Sequence, residues 1–248
     1  MPVNGLSVLA LIPARGGSTE LPGKNIRPFA GLPLIVHSIL CAASTSVDGI
    51  VVSTDSEEIA EVARKWGAET PFMRPAELAQ DDTPIWPVIQ HAVKECPGYD
   101  LLALFEPTSP LRQPEDLAGC VERLALDPGT GIAGIDGVVT VSRPDFVPEF
   151  ACVRELPSGT LYPMAGRKPY DRLQDAPKTF RINGSMYVWR TSFINASGDH
   201  HWIHSRLLGY ETPEFRSLSI DTLEQFERGE KMVRAGIVSL PWLAAVGV

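Results

Sequence analysis

Five short apolar runs punctuate the chain, "SVLALIPA", "GIVVST", "DLLALFEP", "GVVTVSR" and "SMYVWR", and helical patterns separate several of them. Each run is apolar almost without interruption. Strands that alternate polar and apolar residues wet one face, whereas continuous runs of this kind need cover on both. Strands and helices alternating along a chain bury such strands in a doubly wound α/β sheet that is mostly parallel, and this is the expected fold class.

The helical patterns carry their own start and stop signals. "LPLIVHSILCAAS" has helical spacing after a Gly-Leu-Pro turn, and "SEEIAEVARKWG" offers Ser56 as N-cap, acids in the first turn and Gly67 at its end. "TPIWPVIQHAVKEC" starts after Thr83, with Pro87 belonging in a first turn. "DTLEQFERGEKMVRAG" is expected to be capped by Asp221 or Thr222 and stopped by Gly236. His37 and His91 lie in these segments without a ligand-spaced partner, so they read as packing residues. Between Pro144 and Lys178 the chain turns rich in proline and turn residues, an excursion from the main sheet. The expected organisation is one domain over 1–248 with an inserted lobe at 144–178.

Composition narrows the partners. With 248 residues, 44% hydrophobic and 21% charged, the chain has the make-up of an ordinary globular protein. A formal net charge of -8 excludes a general polyanion surface, and so nucleic acid as a partner, but allows a local basic pocket. Cys41, Cys96, Cys120 and Cys152 are widely spaced and form no CxxC pair, which points to reduced thiols. The opening residues lack the pattern of a secretory signal, and no run reaches the roughly 20 apolar residues of a membrane span. A cytoplasmic protein without membrane attachment is expected.

The chemistry is expected where strands end, because open α/β sheets bind ligands outside the carboxyl ends of their strands. After the first run comes "PARGGSTELPGKN", whose glycines let backbone N–H groups face an anion while Arg15 and Lys24 add charge. It is neither a GxxxxGK[ST] P-loop nor a GxGxxG fingerprint. A second strand-end loop, "FEPTSPLR", presents Glu106, Thr108, Ser109 and Arg112. In a third, "FRINGSMYVW", Asn183 and Gly184 form a polar turn before an apolar strand, and "SLSID" delivers Asp221.

Five segments in this order, "IPARGGS...LPGKN", "VVSTDSEEIAEVARKWGAE", "EPTSPLR", "LQDAPKTFRINGSMYV" and "SIDT", resemble the acylneuraminate cytidylyltransferase family from about Leu9 to about Phe226. The resemblance implies a Rossmann-like α/β fold, a homodimer, and transfer of CMP from CTP to a 2-keto-3-deoxy sugar acid with release of pyrophosphate. It further implies that Arg15, Ser18 and Lys24 handle the triphosphate in a cradle with Ala14, Gly16 and Gly17, that Asn25 lies beside the nucleotide, and that Arg74 and Thr83 recognise cytidine. Arg15, Lys24 and Asp221 form the implied catalytic set. Asp221 is the implied ligand of Mg²⁺, or of Mn²⁺ in its place. The implied acceptor contacts are Glu106, Thr108, Ser109, Arg112, Arg172, Gln174 and Asn183, and the 144–178 excursion corresponds to a dimerisation lobe.

Four positions depart from the family's usual pattern. Thr19-Glu20 replaces Lys-Gly, so a carboxylate enters the phosphate loop, where it either repels the nucleotide or becomes a second metal ligand. Glu106 stands for a usual glutamine. Leu173 stands for an arginine, with Arg172 one residue earlier, and Ser219 replaces the first aspartate of Asp-Ile-Asp. These changes gather on the acceptor and metal side. The acceptor is therefore expected to be a nonulosonate or related sugar acid other than ordinary N-acetylneuraminate, with a phosphonate as one alternative and a catalytically impaired nucleotide-binding subunit as another.

Overall fold

The computed structural model describes residues 5–125, 134–146, 148–164, 172, 175, 177–198, 202 and 205–247. Its strands are β1 (Val8–Pro13), β2 (Pro28–Phe29), β3 (Leu32–Pro33), β4 (Gly49–Ser53), β5 (Leu101–Leu104), β6 (Gly137–Ser142), β7 (Val153–Glu155), β8 (Leu161–Pro163), β9 (Arg181–Arg190) and β10 (Leu207–Glu211). The α-helices are α1 (Leu34–Ala43), α2 (Glu57–Lys65), α3 (Ile85–Glu95), α4 (Pro114–Ala125), α5 (Pro148–Ala151), α6 (Thr191–Ala196), α7 (Leu223–Arg234) and α8 (Pro241–Val246). No helix among the described residues is long and apolar enough to cross a membrane.

Six strands form one sheet in the order β10-β6-β9-β5-β1-β4. The β10·β6, β5·β1 and β1·β4 pairs are parallel, while β9 runs antiparallel to both of its neighbours. The expectation of a mostly parallel, helix-covered, Rossmann-like sheet therefore holds. Consecutive residues of β1 separate onto its two faces. Val8, Ala10 and Ile12 join a core covered by α1, α2, α4, α7 and α8, and Leu9 and Leu11 join a second core covered by α3 and α6. This two-sided burial is the physical reason for the uninterrupted apolar runs.

Two local expectations change and a third is settled between its alternatives. The segment from Arg181 is a single strand, and Asn183-Gly184 is not a turn before it but an irregularity within it, where the β6·β9 register shifts and Gly184 adopts φ 73°. Helix α3 starts after Pro84 rather than Thr83, which leaves Pro87 in its first turn. Thr222, not Asp221, caps α7: its side chain accepts from Gln225 N–H and the Gln225 side chain accepts in return. The 144–178 excursion contains α5 and a separate two-stranded hairpin, β7 with β8. All four cysteines are unpaired.

His37 is a core residue, as its lone setting suggested. The Trp242 indole N–H donates to Nδ1 at 3.1 Å, and Nε2 lies 2.7 Å from the Phe29 carbonyl, which makes the Nε2–H tautomer the consistent one. Burial pushes its pKa down from 6.5 to about 4, against smaller opposing contributions from backbone hydrogen bonds with Phe29 and Leu32. The folded state thus resists protonation, and the stabilisation from neutral His37 is complete above pH 6.5 and is lost as pH falls toward about 4. Urea unfolding across that range should show a loss of about 3 kcal/mol that His37→Gln does not share. Parallel pH profiles for the two proteins would refute this role.

Candidate active site

The carboxyl ends of β1, β4 and β5 converge on a cleft of about 190 Å³ lined by Arg15, Ser18, Lys24, Asn25, Arg74 and Thr83, together with Gln80, Asp81, Glu106 and Thr108. Its floor extends the sheet. Ala14 N–H donates to the Ser53 carbonyl (2.9 Å) and Phe105 N–H to Leu11 (2.8 Å), so the loops after three strands leave from one level.

The first loop is held by its own backbone. Gly16 N–H donates to Asp55 Oδ1 (2.9 Å), and a Cβ on Gly16 would lie 3.0 Å from Ser56 Cβ, so that Ser56 would have to shift to admit it. Gly17 is exposed with open space around it. Gly23, at φ 66°, then opens a 3₁₀ turn over Lys24–Ile26 that directs Lys24 and Asn25 back to the cleft. The buried Asn25 amide donates to the Arg15 carbonyl at 3.0 Å, bracing the point where Arg15 leaves the strand.

Two of the three cations at the cleft pair with a carboxylate. Arg15 pairs with Asp81. Lys24 Nζ lies 3.0 Å from Asp221 Oδ1, whose other oxygen accepts from Ser219 Oγ at 3.1 Å. Arg74 is buried and donates to the Ser53 carbonyl (2.6 Å) and Ser53 Oγ (3.1 Å). Burial lowers its pKa to about 10, Asp55 opposes that shift and Arg15 adds to it, so it remains a cation at neutral pH. Thr83 Oγ1 donates to the Glu77 carbonyl (3.2 Å), holding the opposite wall.

The second loop is anchored from inside. The fully buried Arg112 guanidinium stacks over Phe105, donates to the Glu106 carbonyl and to Ser38 Oγ (3.2 Å), and leaves Nε without a partner among the described residues. Ser109 Oγ donates to the Gly184 carbonyl (3.2 Å), and Ile220 N–H to the Thr108 carbonyl (2.7 Å). The last contact joins this loop to the one that carries Asp221. Asn183 is also interior, accepting from Thr140 Oγ1 (2.7 Å) and donating to Thr212 Oγ1 (2.8 Å).

The residues expected around the nucleotide are thus brought together, whereas those expected around the acceptor divide. Glu106 and Thr108 face the cleft. Ser109, Arg112 and Asn183 are buried braces whose hydrogen bonds run into the interior. Arg172 is paired with Asp175 outside this cleft, and Gln174 lies outside the described residues. Glu20 is exposed and does not line the cleft. Two contributors were missed in the sequence, Asp55 and Asp81, because their partners lie 39 and 66 residues away. No local spacing signals such pairs.

The set of groups around Asp221 suits Mg²⁺ better than a dedicated metal cage. Its carboxylate is half exposed, and no group of three or more ligating side chains forms among the described residues. Mg²⁺ takes one or two carboxylates and completes its shell with water and phosphate oxygens.

A family model described as Cytidylyltransferase matches residues 9–232. The chain is 35% identical over 188 residues to the CMP-N,N'-diacetyllegionaminic acid synthase of Legionella pneumophila, covering 74% of this chain and 78% of that protein. It is 40% identical over 185 residues to a pseudaminic acid cytidylyltransferase of Campylobacter jejuni, covering 72% and 76%. A solved CMP:2-keto-3-deoxy-manno-octonic acid synthetase complexed with CTP shares its fold, with a TM-score of 0.72, 17% identity, and coverage of 93% of this chain and 99% of that one.

Glu106 provides a test of the site's electrostatics. Burial raises its pKa above 4.5, nearby Asp221 adds to the rise, and Arg112 and Lys24 oppose it. Ionising Glu106 therefore costs the folded state stability as pH climbs above that ordinary value. Glu106→Gln should raise Tm at neutral pH, by about 2–4 °C for each 1 kcal/mol of ionisation cost that it relieves in a chain of this size. The gain should shrink toward pH 4.5. Equal melting curves at neutral pH would overturn it.

Proposed function

The chain belongs to the cytidylyltransferase family, and from that premise we propose that it transfers CMP from CTP to a nonulosonate or related 2-keto-3-deoxy sugar acid and releases pyrophosphate. The observation that carries this reading is the Lys24–Asp221 contact at the mouth of a cleft that also gathers Arg15, Arg74, Asn25 and Thr83. The relatives that act on diacetyllegionaminic and pseudaminic acids support the acceptor class.

Arg15, Ser18 and Lys24 hold the triphosphate with the Ala14–Gly17 backbone, while Asn25, Arg74 and Thr83 surround the nucleoside. The acceptor hydroxyl attacks the α-phosphorus, and its proton passes to the Asp221 carboxylate. The bond from that phosphorus to the bridging oxygen breaks, and its electron pair leaves with pyrophosphate. Arg15 and Lys24 stabilise the charge that develops there. Asp221, with phosphate oxygens, is the ligand set for Mg²⁺, which when bound neutralises phosphate charge as a Lewis acid. Gly16 and Gly17 let the backbone approach the anion without side chains in the way.

The same reading makes the protein a cytoplasmic homodimer, with 144–178 as its dimerisation lobe within a single domain. Apolar side chains exposed at and beside the β7–β8 hairpin, Val153 at 47%, Leu161 at 67% and Met164 at 64%, support a second copy as their cover.

Incubation with CTP, Mg²⁺ or Mn²⁺ and a panel of sugar acids and phosphonates, followed by pyrophosphate release and product mass, tests the reaction. A CMP-sugar acid is the expected product. A CMP-phosphonate would reassign the acceptor, and silence throughout the panel would refute the reading. Arg15→Ala should lower kcat/KM for CTP by roughly 10²- to 10³-fold, the scale of a lost charged transition-state contact. Asp221→Asn should abolish turnover while CTP binding, measured by calorimetry, survives. Full activity in either variant would contradict the assigned roles.

A further inference from the structure

The segments that carry Thr108 and Asp221 are joined at both ends. At the cleft, Ile220 N–H donates to the Thr108 carbonyl (2.7 Å). At the far end one carboxylate, Asp116, serves both chains. Its Oδ2 accepts from Gln113 N–H (2.8 Å), just past Arg112, and from Arg216 Nη1 (3.1 Å), while its Oδ1 accepts from Arg216 Nη2 (3.0 Å). Arg216 closes the 3₁₀ turn over Glu214–Arg216, from which the chain runs on to Ile220 and Asp221. Thr108, Gln113, Asp116, Arg216 and Ile220 thus stand on a closed ring of backbone and hydrogen bonds.

Helix capping does not account for Asp116. It is the third residue of α4, and its bond to the Gln113 N–H is the reach-back that an acid makes at that position. An acid with that task alone can stay in water, yet Asp116 is 1% exposed. Burial raises its pKa, and the Gln113 N–H and the Arg216 charge oppose the rise. Burying an ion pair gains little stability for its desolvation cost. What the pair supplies is geometry: a planar guanidinium that meets both carboxylate oxygens fixes orientation as well as distance. The exposed Glu115 adds only a 4.0 Å contact to Arg216.

Packing keeps the ring in register. Leu111 of one segment and Leu218 and Ile220 of the other are buried in the same core. Glu214 accepts from Arg181 Nη2 (2.6 Å) and from the Ser142 hydroxyl, which fixes the start of the turn on β9 and β6, and Arg216 fixes its end on α4. A tilt at Arg216 would therefore be passed along the chain to Ile220 and Asp221.

We infer that Asp116 and Arg216 are positioning residues for the proposed reaction: from the interior they set how far the Asp221 segment stands from the loop that presents Glu106 and Thr108 to the cleft. The inference rests on the cytidylyltransferase reading above and extends it to a buried pair that does not line the cleft. Arg15, Arg74 and Thr83 belong to other segments, so loosening this clamp should slow turnover while CTP still binds.

Removing one partner of a buried pair risks unfolding, so two variants avoid an orphaned charge. Arg216→Lys keeps the charge without the fork, and Asp116→Leu combined with Arg216→Met leaves an apolar pair. Turnover is measured with CTP, Mg²⁺ and whichever of N,N'-diacetyllegionaminic acid or pseudaminic acid the wild-type enzyme uses. Calorimetric counting of CTP sites expresses kcat per folded molecule. Both variants should lower kcat about tenfold or more, with the KM for CTP changed less than about twofold. Amide exchange at Ile220 should quicken about tenfold in both while exchange in β1 stays unchanged, whereas a general loss of stability would speed both. Wild-type kcat in either variant would overturn the inference, as would an unchanged Ile220 amide, or kcat and the KM for CTP shifting together. Failure of the wild-type enzyme to use either acid would refute the reaction itself, and the exchange keeps that outcome separate: faster exchange would still show the pair holding the two segments together, and unchanged exchange would still overturn it.

Discussion

The contact between Lys24 and Asp221, 3.0 Å long and spanning 197 residues, is the interaction on which the rest of the site depends. Its worth as an ion pair is small, since Asp221 is half exposed and exposed pairs add little to stability. Its importance is geometric. Lys24 belongs to the loop after the first strand, while Asp221 directly precedes the helix that Thr222 caps. The loop between them in sequence, after β5, is tied to the same point by the hydrogen bond from Ile220 N–H to Thr108. Three distant segments are thereby fixed at one edge of the sheet, the condition for a reaction that must hold a phosphate and its attacking group together.

This arrangement also reconciles an acidic protein with an anionic substrate. The chain carries a formal charge of -8, yet its cleft concentrates Arg15, Lys24 and Arg74. Without a nucleotide those cations do not stand alone: Asp81 faces Arg15, Asp221 faces Lys24, and Asp55 lies within electrostatic reach of Arg74. Asp81 is substantially exposed, so on the proposed reading it can turn to water when phosphate oxygens take its place at Arg15. Substrate then exchanges one charged contact for another instead of entering a field of unpaired cations, which would be costly to maintain.

Much of the fold was legible in the sequence because two-sided burial leaves an unambiguous trace. All five apolar runs are strands, and the four helices anticipated from caps and periodicity are present. Strand direction left no such trace. The apolar pattern of "SMYVWR" is the same whether the strand runs with its neighbours or against them, and only the β5·β9 and β6·β9 pairings decide it. The half-exposed edge strand β10 lacks a continuous apolar run, and it went unnoticed. In the site, the Gly-rich loop was readable because glycines and cations sit together within a dozen residues. Arg112 was misleading for a related reason: an arginine in a polar strand-end loop reads as a ligand contact, but here its guanidinium turns inward to hold the Glu106 carbonyl.

The reversed strand explains why so much of the second loop is interior. Because β9 opposes its neighbours, its amino end, rather than its carboxyl end, reaches the edge where the other strands finish, and Arg181 pairs with Ser142 there. The irregularity at Asn183-Gly184 needs partners for backbone groups that the ladder no longer satisfies. Thr140 supplies one by accepting from Met186 N–H at 2.8 Å, and the Ser109 hydroxyl supplies another by donating to the Gly184 carbonyl. Asn183 then links β6 to Thr212 after β10. A loop anchored through such a network cannot move its Thr108 carbonyl without leaving buried polar groups unpaired, at roughly 1–3 kcal/mol for each. Asp221, adjacent to Ile220, whose N–H is bonded to that loop, inherits its rigidity, and the carboxylate to which we assign the catalytic role is positioned by hydrogen bonds within the protein.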